Sequence, residues 1–293
     1  MSPDEALVAC RFLRFLSAMQ LWGAWGYLWL ITPSELAQHL TGRLHTVFAV
    51  AVLTVVAATL TYLPIEAAYL NDDWSSAVSF AALSDALSFG GFATSWLVAV
   101  AGVVGVVVSQ GFEFPARSRG ITLAAGLNLS ALSLTGHAVM TDGWLGIVHR
   151  LNDVLHVLAA GAWFGALLPV VLTMRLLSDD RLRSAARSAL IQFSFLGHIA
   201  VAIVVTSGIV NMLLIVGWTA DWTSPYRQLL LVKIALVFVM TGMALTNRYL
   251  LVPRIDPRDS KSMYRLVRVT GLEIALGIAV MLLVAKFGTL DPG

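Results

Sequence analysis

Charged side chains are scarce in this sequence. Asp, Glu, Lys and Arg make up only 12% of its 293 residues, against about 25% in a soluble globular domain, which excludes a water-soluble fold. Cysteine is scarcer still. Cys10 stands alone, so an internal disulfide and a cysteine-based metal cluster are both ruled out. The apolar blocks are joined by short connections, and no G-x-x-x-x-G-K-[ST] stretch occurs; with no room for a nucleotide engine, an ATP-driven pump is not expected. A large charge excess is missing too, since the formal net charge is +2. The basic residues sit near the ends of apolar blocks as topology signals, and no nucleic-acid partner is expected. No small-residue cleavage pattern follows "MSPDEALVACRFLRF", so its apolar run reads as a retained span and not as a signal peptide.

What is present is hydrocarbon. Hydrophobic residues fill 58% of the chain and the mean hydropathy is +0.81. The expected architecture is all-α: a polytopic membrane protein with its helices in one bundle, residues 1–293 forming a single integral membrane domain and the lipid bilayer as its partner. Each block is long enough to cross a hydrocarbon core of ~30 Å as a helix. Eight transmembrane helices are expected, over Leu7–Ile31, Leu44–Tyr62, Gly91–Ser109, Ile121–Val139, Ile147–Met174, Leu190–Val216, Leu229–Tyr249 and Leu266–Lys286. Arg248, Arg254, Arg258, Lys261, Arg265 and Arg268 gather after the seventh span, and Arg175, Arg181, Arg183 and Arg187 after the fifth. Arg43, Arg117 and Arg119 lie on the same side, so this side faces the cytoplasm and both termini face outward. Acids then concentrate on the outer face at Asp4, Glu5, Glu66, Asp72, Asp73, Asp85, Asp142, Asp221 and Asp291, which would gather cations there.

Within the spans, Gly161 and Gly165 form a G-x-x-x-G ahead of Pro169, a pattern that lets a second helix approach closely. The segment between Asn71 and Ser88 is too short to span and reads as interfacial, with Trp74 suited to that depth. Polar residues at bilayer depth are expensive and mark function. In "VHRLNDVLHVLAAG", His149, Asp153 and His156 share one helical stripe, because three- and four-residue steps return to nearly the same face. His149 and His156 are ~10 Å apart along the axis, so they read as successive stations and not as one closed site. His137 and Glu66 are placed at the outer mouth and His198 near mid-membrane. The expected metal set is therefore Glu66, His137, His149, Asp153, His156 and His198, with imidazole and carboxylate as ligands. Met19, Met212, Met240 and Met243 offer soft thioethers for cuprous copper, with apolar packing as their bland alternative. Asn211 and Lys233 complete a secondary path, Lys233 as a structural partner for Asp153. No catalytic residue is assigned, and the chain reads as a carrier and not an enzyme.

The "TGHA" and "HRLNDVLHVLAAGAWFGALLP" stretches resemble the copper resistance protein D (CopD) family. So do "FSFLGHIAVAIVVTSGIVNMLLIVG" and "TSPYRQLLLVKIALVFVMTGMALTNRYLLVPRI", with their T-x-G-x-x-N helix, Y-x-x-L-L-L-x-K entry and closing N-R. The resemblance covers residues 134–286 best. It implies an eight-helix inner-membrane protein that moves copper ions, of unknown oxidation state, from periplasm to cytoplasm. It maps onto His137, His149, Asp153, His156, Asn211, Lys233 and Asn247, and implies a CopC-like periplasmic copper-binding protein as a separate partner, no such domain being expected within this chain. Two rivals remain open: a b-type haem cytochrome using pairs among His137, His156 and His198, and a copper-binding scaffold that transports nothing.

Overall fold

The computed structural model of the chain describes residues 1–135, 143–217, 224–251 and 260–290. His137, Asp142, Asp221, Arg254, Arg258 and Asp291 fall outside the described residues, so the positions expected for them lie beyond the fold described below. All regular structure among the described residues is helical: α1 Pro3–Leu30, α2 Ser34–Asn71, α3 Phe80–Ser88, α4 Phe92–Ser109, α5 Ala116–Ser130, α6 Gly143–Arg175, α7 Arg183–Ile215, α8 Pro225–Thr246 and α9 Ser260–Phe287. Short 3-10 turns follow α5 and α6, and a π turn, Asn247–Leu251, follows α8. Six stretches are long and apolar enough to cross a membrane: Ser34–Asn71, Phe92–Ser109, Gly143–Ser178, Arg183–Ile215, Pro225–Tyr249 and Tyr264–Phe287. They fall on six of the eight expected spans. The other two expectations correspond to α1, which carries Asp4, Glu5, Arg11, Arg14 and Gln20, and to α5, of 15 residues, with its 3-10 extension Ala131–Leu134.

Helix α1 is the hub, packing against α2, α5, α6 and α9. Its start is fixed locally. The Glu5 amide donates to the Ser2 hydroxyl (3.2 Å), the Ser2 amide donates to the Glu5 carboxylate (2.9 Å), and Pro3 opens the first turn, satisfying two of the donors that every helix start leaves over. Its middle meets α6 with backbones almost touching. A methyl group added at Gly23 would lie 2.8 Å from the Gly165 Cα and 2.9 Å from the Ala166 nitrogen, and one at Gly165 would strike the Met19 carbonyl. Only glycine fits on both sides, so the expected G-x-x-x-G contact is found with α1 as its partner. Pro169 has no amide to give the Gly165 carbonyl, its usual acceptor four residues back. Gln20 of α1 supplies the missing donor through Nε2 at 3.3 Å. Trp22 Nε1 donates to the Leu158 carbonyl (2.8 Å) and Tyr27 to the Thr173 hydroxyl (3.0 Å), stitching the same seam.

The N-terminal helices interlock by the same device. Gly102 of α4 leaves no room for a side chain against Asn128 of α5, whose Nδ2 donates to the Ala99 carbonyl at 2.8 Å. Between α2 and α4, the 3-10 turn Trp74–Val78 and α3 form a short surface segment that leaves Val78, Phe80 and Phe89 exposed, as expected of a stretch lying at an interface. Lys286 at the end of α9 pairs with Asp4 at the start of α1 at 2.9 Å, and Trp74 donates to the Met1 carbonyl at 3.2 Å. The start of α1, the end of α2 and the end of α9 therefore share one end of the bundle. Helices α7 and α8 turn Ile191, Phe195, Ile199, Ile209, Phe238 and Val239 outward. Such apolar faces would be a liability in water and match hydrocarbon.

Candidate functional site

The polar stripe of α6 faces α7. Asn211 Nδ2 donates to Asp153 Oδ1 at 2.8 Å, and Asn152 Nδ2 donates to Asn211 Oδ1 at 2.7 Å and to the Ser207 carbonyl at 2.9 Å. A carboxylate only accepts, so it fixes which way the Asn211 amide points, and Asn211 in turn fixes Asn152. One turn further along, His156 Nδ1 lies 3.0 Å from the Ser207 hydroxyl. That hydroxyl already gives its proton to the Ile203 carbonyl at 2.5 Å, so it accepts from His156. Nδ1 therefore carries the ring proton and Nε2 keeps a lone pair, the form in which imidazole ligates a metal. Gly208 makes the space: a methyl group there would sit 3.3 Å from His156 Cε1. The T-x-G-x-x-N pattern of α7 thus has a physical meaning, with a glycine for the imidazole and an asparagine for the carboxylate.

His149, at 1% exposure, is buried at the start of the stripe with both ring nitrogens unpartnered among the described residues. His198 lies on α7 nine residues before Ser207, ~13 Å away along the axis. Its Nδ1 lies 2.6 Å from the Ser194 carbonyl and 3.1 Å from the Arg248 guanidinium, while its buried Nε2 has no hydrogen-bond partner among the described residues. Arg248 lies beside it, donating to the Ser194 hydroxyl at 2.5 Å. The π turn at Asn247–Leu251 adds a residue to the helical circuit, and the adjacent Asn247 and Arg248 reach different helices. Asn247 Nδ2 donates at 2.7 Å to Glu273, which is buried on α9. The closing N-R motif thus holds α9 with one side chain and α7 with the other.

The remaining candidates disperse. Glu66 on α2 has Arg11 of α1 as its charge neighbour, beside Arg14, whose guanidinium lies 5.3 Å over the Tyr62 ring. Lys233 is within electrostatic reach of Asp153 and His156, but among the described residues it forms no ion pair, its ammonium lying 5.6 Å over the Phe287 ring. Met19 and Met240 are buried in the main core, Met19 against the Gly165 backbone and Met240 beside Gly277. Met243 is half-buried one turn along, and Met212 packs in a separate apolar cluster with Tyr226 and Phe287. No group of three His, Cys, Asp or Glu side chains comes together as a metal cage among the described residues. Two residues of the network, Asn152 and Ser207, carry no charge and were not among the sequence candidates. Asn152 falls on the same stripe, four residues before His156 and three after His149, which is the signal that could have found it.

Comparison with known proteins matches two family descriptions to the chain: "Copper resistance protein D-like, N-terminal domain" over residues 1–147 and "Copper resistance protein D" over residues 187–287. The likeness thus reaches the first helices as well as the last. The chain is 34% identical over 289 residues to the "Inner membrane protein YebZ" of Escherichia coli (strain K12), covering 97% of this chain and 98% of that one. It is 34% identical over 211 residues to the "Copper resistance protein D" of Pseudomonas syringae pv. tomato, covering 68% of each. No solved structure matches significantly. The motifs whose packing roles are given above and these two matches lead to one conclusion: the chain belongs to the copper resistance protein D family.

Proposed function

We propose that this chain is an inner-membrane copper transporter that moves copper ions from periplasm to cytoplasm along the α6–α7 interface. It acts as a carrier and not as an enzyme. All eight expected spans cross the bilayer in this reading. Helix α5 with its 3-10 extension reaches ~30 Å, and α1 is shielded from lipid by its neighbours. Both termini face the periplasm, since the opposite end carries Arg43, Arg117, Arg119, Arg175, Arg181, Arg183 and Arg187. Copper enters at His149, with His137 and Glu66 at the mouth, passes Asp153 and His156, and continues past His198 toward Met240 and Met243. Asn211 and Lys233 tune the charge of Asp153. A CopC-like periplasmic copper-binding protein delivers the ion.

The observation that carries this reading is the pair of imidazoles, His156 and His198, each held through Nδ1, with the buried Nε2 of His198 unpartnered among the described residues. Stations ~10–13 Å apart with few ligands each suit an ion that must leave as readily as it enters. The names of both relatives agree with an inner-membrane, copper-related role. Copper uptake into proteoliposomes, with an optical spectrum of the same sample, tests the reading. Uptake that is lost in His156→Ala while the variant stays folded is expected. Binding without uptake would replace transport with a scaffold role, and a Soret band would replace copper with haem.

A further inference from the structure

A crevice opens on the side of the bundle between α5 and α7. Its floor is α1 and α6, where Gly23, Gly26 and Ala166 keep the surface low; Thr122 of α5 forms one wall, and Phe193 and Gly197 of α7 the other. Its enclosed part holds about 130 Å³, and its mouth lies open on the side of the bundle. It is space and not tight contact: a methyl group at Gly197 would meet nothing within 4 Å, and one at Gly26 only Thr122 Cγ2 at 3.6 Å. The hydroxyls and the Trp22 indole around it are already paired, Thr122 with the Ser118 carbonyl at 2.7 Å, Trp22 with Leu158 and Tyr27 with Thr173. A polar solute would find few partners there. Along α1 the floor runs from Trp22 to Ile31, ~14 Å, close to half a hydrocarbon core of ~30 Å and thus the depth of one leaflet's chains. At its end stands a cation. Arg119 is one helical turn before Thr122, and its guanidinium lies 5.5 Å over the ring of Trp29, next to Leu30, which lines the crevice. Arg119 is exposed and forms no ion pair among the described residues. Stacked on one face, its edge N–H groups are left to grip a phosphate in a fork.

We propose that this crevice seats one acyl chain of an anionic phospholipid whose phosphate is held by Arg119. The site rests on the membrane-spanning fold alone and is independent of copper. Its test is native mass spectrometry of the full chain, delipidated in detergent and titrated with phosphatidylglycerol or phosphatidylcholine, for wild type, Arg119→Gln and Gly197→Leu. Wild type is expected to retain one phosphatidylglycerol in preference to phosphatidylcholine. Gly197→Leu adds its side chain where a Cβ meets nothing within 4 Å and should retain more than about tenfold less of either lipid, as a lost chain site requires. Arg119→Gln should bind phosphatidylglycerol about fivefold more weakly and no longer prefer it. Equal retention by all three proteins, no preference in wild type, or a protein dimer that Gly197→Leu dissolves would each overturn the proposal. Arg119→Gln changes an exposed side chain, so the charge arm stands even where the other variant fails to fold.

Discussion

A histidine offers a metal ion a lone pair only on the nitrogen that carries no proton, and a neighbour decides which one that is. At His156 the neighbour is Ser207, whose own proton is committed to the Ile203 carbonyl. Ser207→Ala removes that constraint while leaving the imidazole in place. The expected result is a loss of copper affinity of about 10- to 100-fold in a protein that remains folded, read by titration against a competing chelator. Affinity within twofold of wild type would remove Ser207 from the site. The stripe on α6 was legible because charged and imidazole groups recurring at helical spacing in an apolar run announce themselves. Its partners were not. Periodicity says which face a residue occupies and is silent on which helix meets that face, so the pairing of Asp153 with Asn211 and of Asn247 with Glu273 needed the fold. Ser207 was illegible for another reason: in spanning helices a serine commonly bonds its own backbone, and only the added imidazole gives this one a role.

The joint between α1 and α6 depends on side chains that are absent. Gly165→Leu would drive a branched side chain into the Met19 carbonyl, whereas Gly197→Ala, on a face with open space, only adds helix propensity. The first should destabilise the protein by about 1–3 kcal/mol or more through overpacking, and the second should be neutral or stabilising by about 0.5–1 kcal/mol, both measured by thermal unfolding in detergent. If Gly165→Leu unfolds with wild type, the close approach is not a determinant of the bundle. The G-x-x-x-G itself could be read from the sequence, but its partner could not, since α1 offers one glycine there and not a matching motif. Six spans were equally plain as apolar runs of sufficient length. Helices α1 and α5 were less so, because they carry polar residues that reach neighbouring helices: Gln20 donates to the carbonyl that Pro169 leaves free, and the Asn128 amide to Ala99 and Thr59. Hydropathy counts such residues as a cost without seeing what pairs with them.

At the scale of the whole molecule, the orientation in the membrane can be checked with the chain's own economy of thiols. Cys10 is buried and leaves little background. Ser75 and Ser184 are exposed at opposite ends of the bundle, so Ser75→Cys should react with a membrane-impermeant maleimide from the periplasmic side, and Ser184→Cys only after the membrane is broken. The reverse pattern would invert the proposed orientation and with it the proposed direction of copper movement. The Asp4–Lys286 pair is too exposed to stabilise the fold by more than about 1 kcal/mol.

Its position matters more than its strength. By setting the start of α1 beside the end of α9, it brings these two helices together at one end of the bundle. The exposed, left-handed Gly90–Gly91 corner lies at that same end of the bundle. A circularly permuted chain, bridged across residues 288 to 2 and reopened at this corner, would keep every helix pair and present its new ends on the same side of the bilayer. The order in which the helices are written along the gene is thus separable from the order in which they stand in the membrane.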